Sequence, residues 1–313
     1  MTGPMPVLSE HAEDVLDFAF ASQSKGDRVA LCCMTGSVGG AVRAPGALMA
    51  VTGDGASCGY LSGGCIDADV VLRAQAAIGS GTPDRARYGI GSPFRDIALP
   101  CGGAIDVLID PTPLGAEAAG ALESLKARKP VSLHVSSNGQ LAWQKLAGID
   151  APLAVHRPKL RIRIAGKGAD PLALARLCDA AGIDTAFWTP DEASRSDASG
   201  LGLKTIVALN SLSDVPPPND DAWTAFILMF HDPDWEDVLL TDALAGHAFY
   251  VGAVGSPKTH AARCERLRKA GVADSQIARI CGPVGVLPSM RNASGLAVSA
   301  LAEIIGAYEA PLS

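Results

Sequence analysis

Aromatic residues make up only 5% of this 313-residue chain and charged residues only 19%. With 48% hydrophobic content, the interior must be filled by small aliphatic side chains, mostly Ala, Val, Leu and Ile. The formal net charge is −7 and there is no basic tract, so the electrostatic footprint of nucleic-acid binding is missing and no nucleic-acid partner is expected. No segment reaches the ~18 consecutive apolar residues of a membrane span, so no membrane association is expected either. Residues 1–10 lack the basic and apolar stretches of a secretory signal. Neither CxxC nor HExxH occurs, which leaves a dedicated zinc or iron–sulfur site without support. Eight cysteines are too thinly spread for a disulfide scaffold, and a chain of this size can stabilise itself without one. They read as reduced thiols in a cytoplasmic protein.

The length favours two domains, with the pattern changing near residue 150. In residues 1–150, a helix is expected over 10–24, capped by Ser9, then a strand over 28–34 and a glycine-rich loop over 35–40. A strand over 47–52 turns at Gly53-Asp54-Gly55, and a helix follows from about 66 to 78. Strands at 85–88 and 104–109 flank a loop, and a helix at 116–127 precedes a hairpin around Asn138-Gly139. Short strands mixed with a few helices predict an α+β domain. Residues 151–159, with Pro152 and Pro158, read as a linker. In residues 151–313 strands and helices then alternate, which predicts a Rossmann-like, doubly wound parallel sheet. The polar stretch 191–200 reads as a loop.

Two cysteines sit on glycine turns, in Ser62-Gly63-Gly64-Cys65 and in Cys101-Gly102-Gly103. Glycine leaves a neighbouring thiol sterically open, and a helix start lowers a thiol pKa. Cys65 and Cys101 are therefore candidate metal ligands, although a small buried cysteine is a common packing residue. Cys32 and Cys33 are adjacent in a strand and should face opposite sides, as core residues. Arg43, before Pro45-Gly46, offers a guanidinium fork for a phosphate, or else a structural contact. Gly166 and Gly168 follow a strand and precede a helix, the context for a phosphate on a helix N-terminus. However, Pro171 occupies the third glycine position and supplies no N–H, and Thr189 stands where an acidic residue would bind a ribose. His231-Asp232 and Gly255-Ser256 lie at the ends of apolar strands, where α/β sheets collect ligands. Asp232 and Ser256 can equally be helix caps.

Taken in order, these pieces resemble the xanthine dehydrogenase accessory factor (XdhC/CoxI) family. The resemblance runs through Arg43-Ala-Pro-Gly46, Ser62-Gly-Gly-Cys65-Ile-Asp67, Cys101-Gly-Gly103, Gly166-x-Gly168, His231-Asp232, the stretch from Tyr250 to Ser256, and Ala297 to Glu303. Asp67 stands where members usually carry glutamate. Ser294-Gly295 replaces the acidic pair that usually opens the final helix. The resemblance implies a chaperone, not a turnover enzyme, that binds molybdenum cofactor (molybdopterin). Such a chaperone protects the cofactor, supports its sulfuration by a cysteine desulfurase and inserts it into a xanthine dehydrogenase-type molybdoenzyme. It also implies a homodimer. In that setting Cys65 and Cys101 would meet the metal, which accepts a soft thiolate. Arg43 and the glycines at 63, 64, 102, 103, 166, 168 and 255 would hold the pterin and its phosphate, with Ser256, and His231-Asp232 would line the cleft. An NAD(P)- or FAD-dependent oxidoreductase using the Rossmann half is the alternative.

Overall fold

The computed structural model describes residues 6–92, 99, 102–136, 138–144 and 151–310. The chain divides into two compact units, Met1–Pro158 and Lys159–Ser313.

The first unit opens with α1 (Ala12–Ser24), whose buried stripe is Val15, Leu16 and Ala19. Ser9 does not cap it; its hydroxyl donates to Asp14 instead, and His11 holds the cap position. Next come β1 (Val29–Val38), β2 (Leu48–Thr52), β3 (Ser57–Gly59), α2 (Asp67–Ser80), β4 (Asp84–Gly89) and β5 (Ala104–Asp110). The five strands form an antiparallel sheet in the order β3-β2-β1-β5-β4. The expected loop at 35–40 is strand as far as Val38, because β5 supplies partners up to the Val38–Ala104 pair. A bulge between Met34 and Gly36 absorbs the register change. Then follow α3 (Ala116–Lys126), β6 (Val131–Val135), β7 (Leu141–Ala142) and β8 (Ala154–His156). The last three make a small sheet in the order β7-β6-β8. Part of the expected linker is thus a strand of the first unit, since Val155 pairs with Ser132.

Cys32 packs with α2 on one face of the large sheet and Cys33 with α1 on the other, as strand alternation requires. Burial pushes the Cys32 thiol up and the Cys33 thiol to about 12. Both are core residues and poor nucleophiles.

The second unit contains β9 (Arg161–Gly166), α4 (Ala169–Ala180), β10 (Asp184–Thr189), α5 (Glu192–Gly200), β11 (Thr205–Ala208), β12 (Thr224–Met229) and α6 (Pro233–Ala245). It continues with β13 (Tyr250–Ala253), α7 (Pro257–Lys269), α8 (Asp274–Ile277), β14 (Ile280–Cys281) and α9 (Ala293–Glu309). All strand pairs are parallel, in the order β11-β10-β9-β12-β13-β14. Renumbered from β9 this is the 3-2-1-4-5-6 order of the dinucleotide-binding fold. Leu174 of α4, Ala198 of α5 and Ala300 of α9 join one core, while Leu240 of α6, Leu267 of α7 and Ile277 of α8 join another. Residues 192–200 form a helix rather than the expected loop. Asp191 caps it by accepting from the Ser194 amide, and the buried Ser194 and Ala198 sit one turn apart.

Candidate functional site

At one end of the large sheet three glycine loops come together. Gly39, just past β1, lies against Gly103, so that a Cβ on Gly39 would stand 3.2 Å from the Gly103 Cα. On the other side, Gly63 faces Val42. Gly63 and Gly64 both take positive φ (70° and 113°), and a side chain on Gly64 would meet no atom. These turns leave the Cys65 thiol exposed. Cys65 lies two residues ahead of α2 rather than opening it. Cys101, the other expected metal ligand, lies outside the described residues.

Asp67 shapes this loop. Its carboxylate accepts from the amides of Leu61 (2.7 Å), Ser62 and Gly64, and from the Ser62 hydroxyl (2.9 Å). The Gly64 N–H is therefore already satisfied and is not free for a phosphate, which corrects that part of the expectation. A shorter acid than glutamate suits a loop that folds back on its own helix start. In the sequence Asp67 stands out only as a shorter acid in place of glutamate, with no sign that it gathers the loop amides.

Arg43 is anchored within its own unit. One nitrogen donates to the Glu10 carbonyl (3.0 Å), and the guanidinium lies 4.7 Å from the Tyr60 ring centroid. Its Nη1 is buried with no hydrogen-bond partner, as is Nε2 of His156. Burial, then the nearby Arg43 charge, lowers the His156 pKa to about 4, and Trp143 lies against its ring. An unfolded imidazole titrates near ~6.5, so below that pH the unfolded chain binds the extra proton first. The first unit should lose up to about 3 kcal/mol of stability as pH falls from ~6.5 toward 4, and none of it above that window. His156→Phe should flatten this slope in urea titrations across the range. An unchanged slope would assign it to other groups.

In the second unit a cavity of about 810 Å³ opens beyond the carboxyl ends of β12 and β13. His231, Gly255 and Ser256 line it. Asp232 does not; its carboxylate caps α6 by accepting from the Asp234 amide. Gly166 and Gly168 do not line it either. Gly166 is buried where β9 passes β12, and a Cβ there would stand 2.7 Å from the Met229 carbonyl. Its absent side chain serves strand packing rather than ligand approach.

The far wall is segment 283–292, which sequence inspection passed over. Its run of Gly, Pro and Ser between a strand and a helix was the available signal. Glu303 of α9 fixes the start of the wall. It accepts from the Tyr250 hydroxyl (2.7 Å) and from the Gly285 amide. Ser299 accepts from the Leu287 amide at 2.8 Å. The Tyr250 pKa is pushed up by burial and by this bond to Glu303, so the phenol stays a donor. Asn292 caps α9 by accepting from the Gly295 amide. The lining is apolar along Val286, Leu287 and Met290, and among the described residues Arg291 and Asp170 add a cation and a carboxylate. Such a pocket suits a compact ligand with an apolar body and few polar groups.

Among the described residues no three His, Cys, Asp or Glu side chains come together as a metal cage, and no helix is long and apolar enough to cross a membrane. Residues 162–304 match the XdhC Rossmann domain family, and residues 22–89 match the XdhC and CoxI family. The chain is 33% identical over 303 residues to the molybdenum cofactor insertion chaperone PaoD of Escherichia coli (strain K12), covering 95% of this chain and 89% of that one. It is also similar to a Bacillus halodurans protein whose crystal structure is described as that of a xanthine dehydrogenase. The TM-score is 0.72 at 19% identity, over 93% of this chain and 95% of the other; that likeness is one of fold. Matched across both units, and along nearly its full length by PaoD, the chain belongs to the XdhC and CoxI family.

Proposed function

We propose that this chain is a molybdenum cofactor insertion chaperone, an accessory factor rather than a turnover enzyme. The observation that carries the reading is the 33% identity to PaoD over 95% of the chain. The donor chemistry fits. An exposed thiol on an open glycine loop, with no cluster of three metal-ligating side chains among the described residues, suits a metal that arrives with its own dithiolene and oxo ligands and has room for one soft donor. Cys65 binds at the metal end, and Cys101 is its expected companion. Arg43 offers its unpartnered nitrogen to an anion. In the second unit, His231, Gly255 and Ser256 receive a compact ligand group in the cavity. The cofactor, when bound, supplies the redox-active molybdenum that the client enzyme uses. The chaperone's residues hold it and shield it from water and oxidants. The same reading includes a homodimer in the cytoplasm, a cysteine desulfurase as sulfur donor and a xanthine dehydrogenase-type client.

The test is purification from molybdenum-replete cells without oxygen, followed by metal mass spectrometry and pterin fluorescence. Roughly one molybdenum and one pterin per chain is the expected result. Neither one, even after free cofactor is added, would overturn the reading. Joint Cys65→Ser and Cys101→Ser substitution should cut retained molybdenum by about fivefold or more, because a hydroxyl is a poor ligand for a soft metal centre. Wild-type retention in that variant would remove the thiols from the site while leaving cofactor carriage standing.

A further inference from the structure

The second unit has the strand order of a dinucleotide-binding fold, yet the amide of its first glycine turn is bonded from within. In such folds the pyrophosphate rests on main-chain N–H groups at the first helix, and an acidic residue after the second strand takes the ribose. Here the Gly168 N–H donates to the Ser194 hydroxyl at 2.9 Å. That hydroxyl in turn donates to Asp191 at 2.6 Å. Asp191 also accepts from the Ser194 amide at 2.8 Å. Ser194 is 2% exposed, so one buried hydroxyl links the glycine turn to Asp191, two residues past Thr189 at the end of β10.

Two further features act in the same direction. Pro171 in the first turn of α4 has no N–H to give, and Asp170 in that turn puts a carboxylate where a pyrophosphate would bring its own negative charge. The cavity, correspondingly, lies on the β12–β13–β14 side, and Asp170 is its one lining residue from the β9–α4 region.

We infer that Ser194 is a specificity-determining residue: with Asp191 and Gly168 it closes the dinucleotide half of this Rossmann unit, so that ligands are admitted only on the β12–β13–β14 side. The fold has kept its strand order and lost its affinity for NAD(P) and FAD through a three-member hydrogen-bond chain. This goes beyond the chaperone reading and does not depend on it.

The experiment titrates the full-length protein with NADH, NADPH and FAD by calorimetry up to roughly millimolar concentration, for wild type and Ser194→Ala. The wild type should show no saturable binding. Removing the hydroxyl frees a donor and opens space, so Ser194→Ala should gain roughly tenfold or more in affinity, the scale of one added hydrogen bond to a charged group. Wild-type binding in the micromolar range would overturn the inference, and so would a folded Ser194→Ala protein that binds no better than wild type. Amide hydrogen exchange gives an independent reading that needs no variant. The Gly168 amide should be protected in the wild type, and free exchange there would also overturn the inference. None of these outcomes bears on molybdenum retention, so failure here and failure of the chaperone reading are distinguishable.

Discussion

Asp220→Ala should cost the second unit about 3–5 kcal/mol, the range measured when one partner of a buried ion pair is removed. Arg163 points out of β9 into the interior and its side chain is 2% exposed; that of Asp220 is 3% exposed. The pairing is two-pronged, with Arg163 Nε 2.9 Å from one carboxylate oxygen and Nη2 bonded to the other. The guanidinium is also sandwiched, 4.7 Å from the Trp188 centroid and 4.1 Å from that of Phe226. Its remaining nitrogen has no hydrogen-bond partner, and Asp242 stands 3.9 Å away. Burial raises the Asp242 pKa, and Arg163 offsets only part of that rise. Asp242 is therefore a weak substitute, and removing Asp220 would strand a charge in the core. Urea unfolding followed by tryptophan fluorescence would measure the loss. A change within about 1 kcal/mol would show that the pair is dispensable. Exchanging both partners together, as Arg163→Met with Asp220→Leu, should cost much less than Asp220→Ala alone, because buried apolar residues of similar size can replace such a pair.

Glu236→Ala should have an effect of similar size, about 3–5 kcal/mol, with an added local consequence at the cavity. Glu236 is 3% exposed and faces Arg263, which is fully buried. The two meet through a double hydrogen bond, 3.1 Å on each arm, and Arg266 joins at 2.7 Å. Arg263 also donates to the Val254 carbonyl at 2.9 Å, just where β13 turns into the Gly255-Ser256 wall. Loss of Glu236 leaves Arg263 without its charge partner and frees it to leave that carbonyl. Hydrogen exchange at the amides around Val254 should quicken by more than the global loss of stability accounts for. Glu236→Gln keeps the shape and one acceptor, so its cost should be smaller. If exchange near Val254 rises only in step with global stability, Arg263 is a core residue with no particular hold on the wall.

Local chemistry was enough to read the elements and their class. Apolar runs of strand length alternating with helical patterns marked the parallel sheet, because strands buried on both faces carry little else. The glycines beside Cys65 announced an open thiol, since positive φ and missing side chains are properties of a residue and its immediate neighbours. Adjacent Cys32 and Cys33 fell to opposite cores for the equally local reason of strand alternation. The helix at Glu192–Gly200 was missed because its polar composition hides a cap and two buried residues that only packing reveals. The same is true of β8, which needs its pairing with β6 to exist as a strand.

The site divides along the same line. Which residues sit at strand ends, among them His231, Gly255 and Ser256, follows from sequence order within an α/β unit. Which of their groups remain free does not. Gly64 loses its N–H to Asp67 three residues on, Gly168 loses its own to Ser194 from the next helix, and Gly166 has no room because β12 runs past it. Each is settled by a hydrogen bond or a contact that forms only once the chain has closed on itself. A motif therefore says where a ligand could approach, and the tertiary hydrogen-bond pattern decides whether a donor is left to meet it.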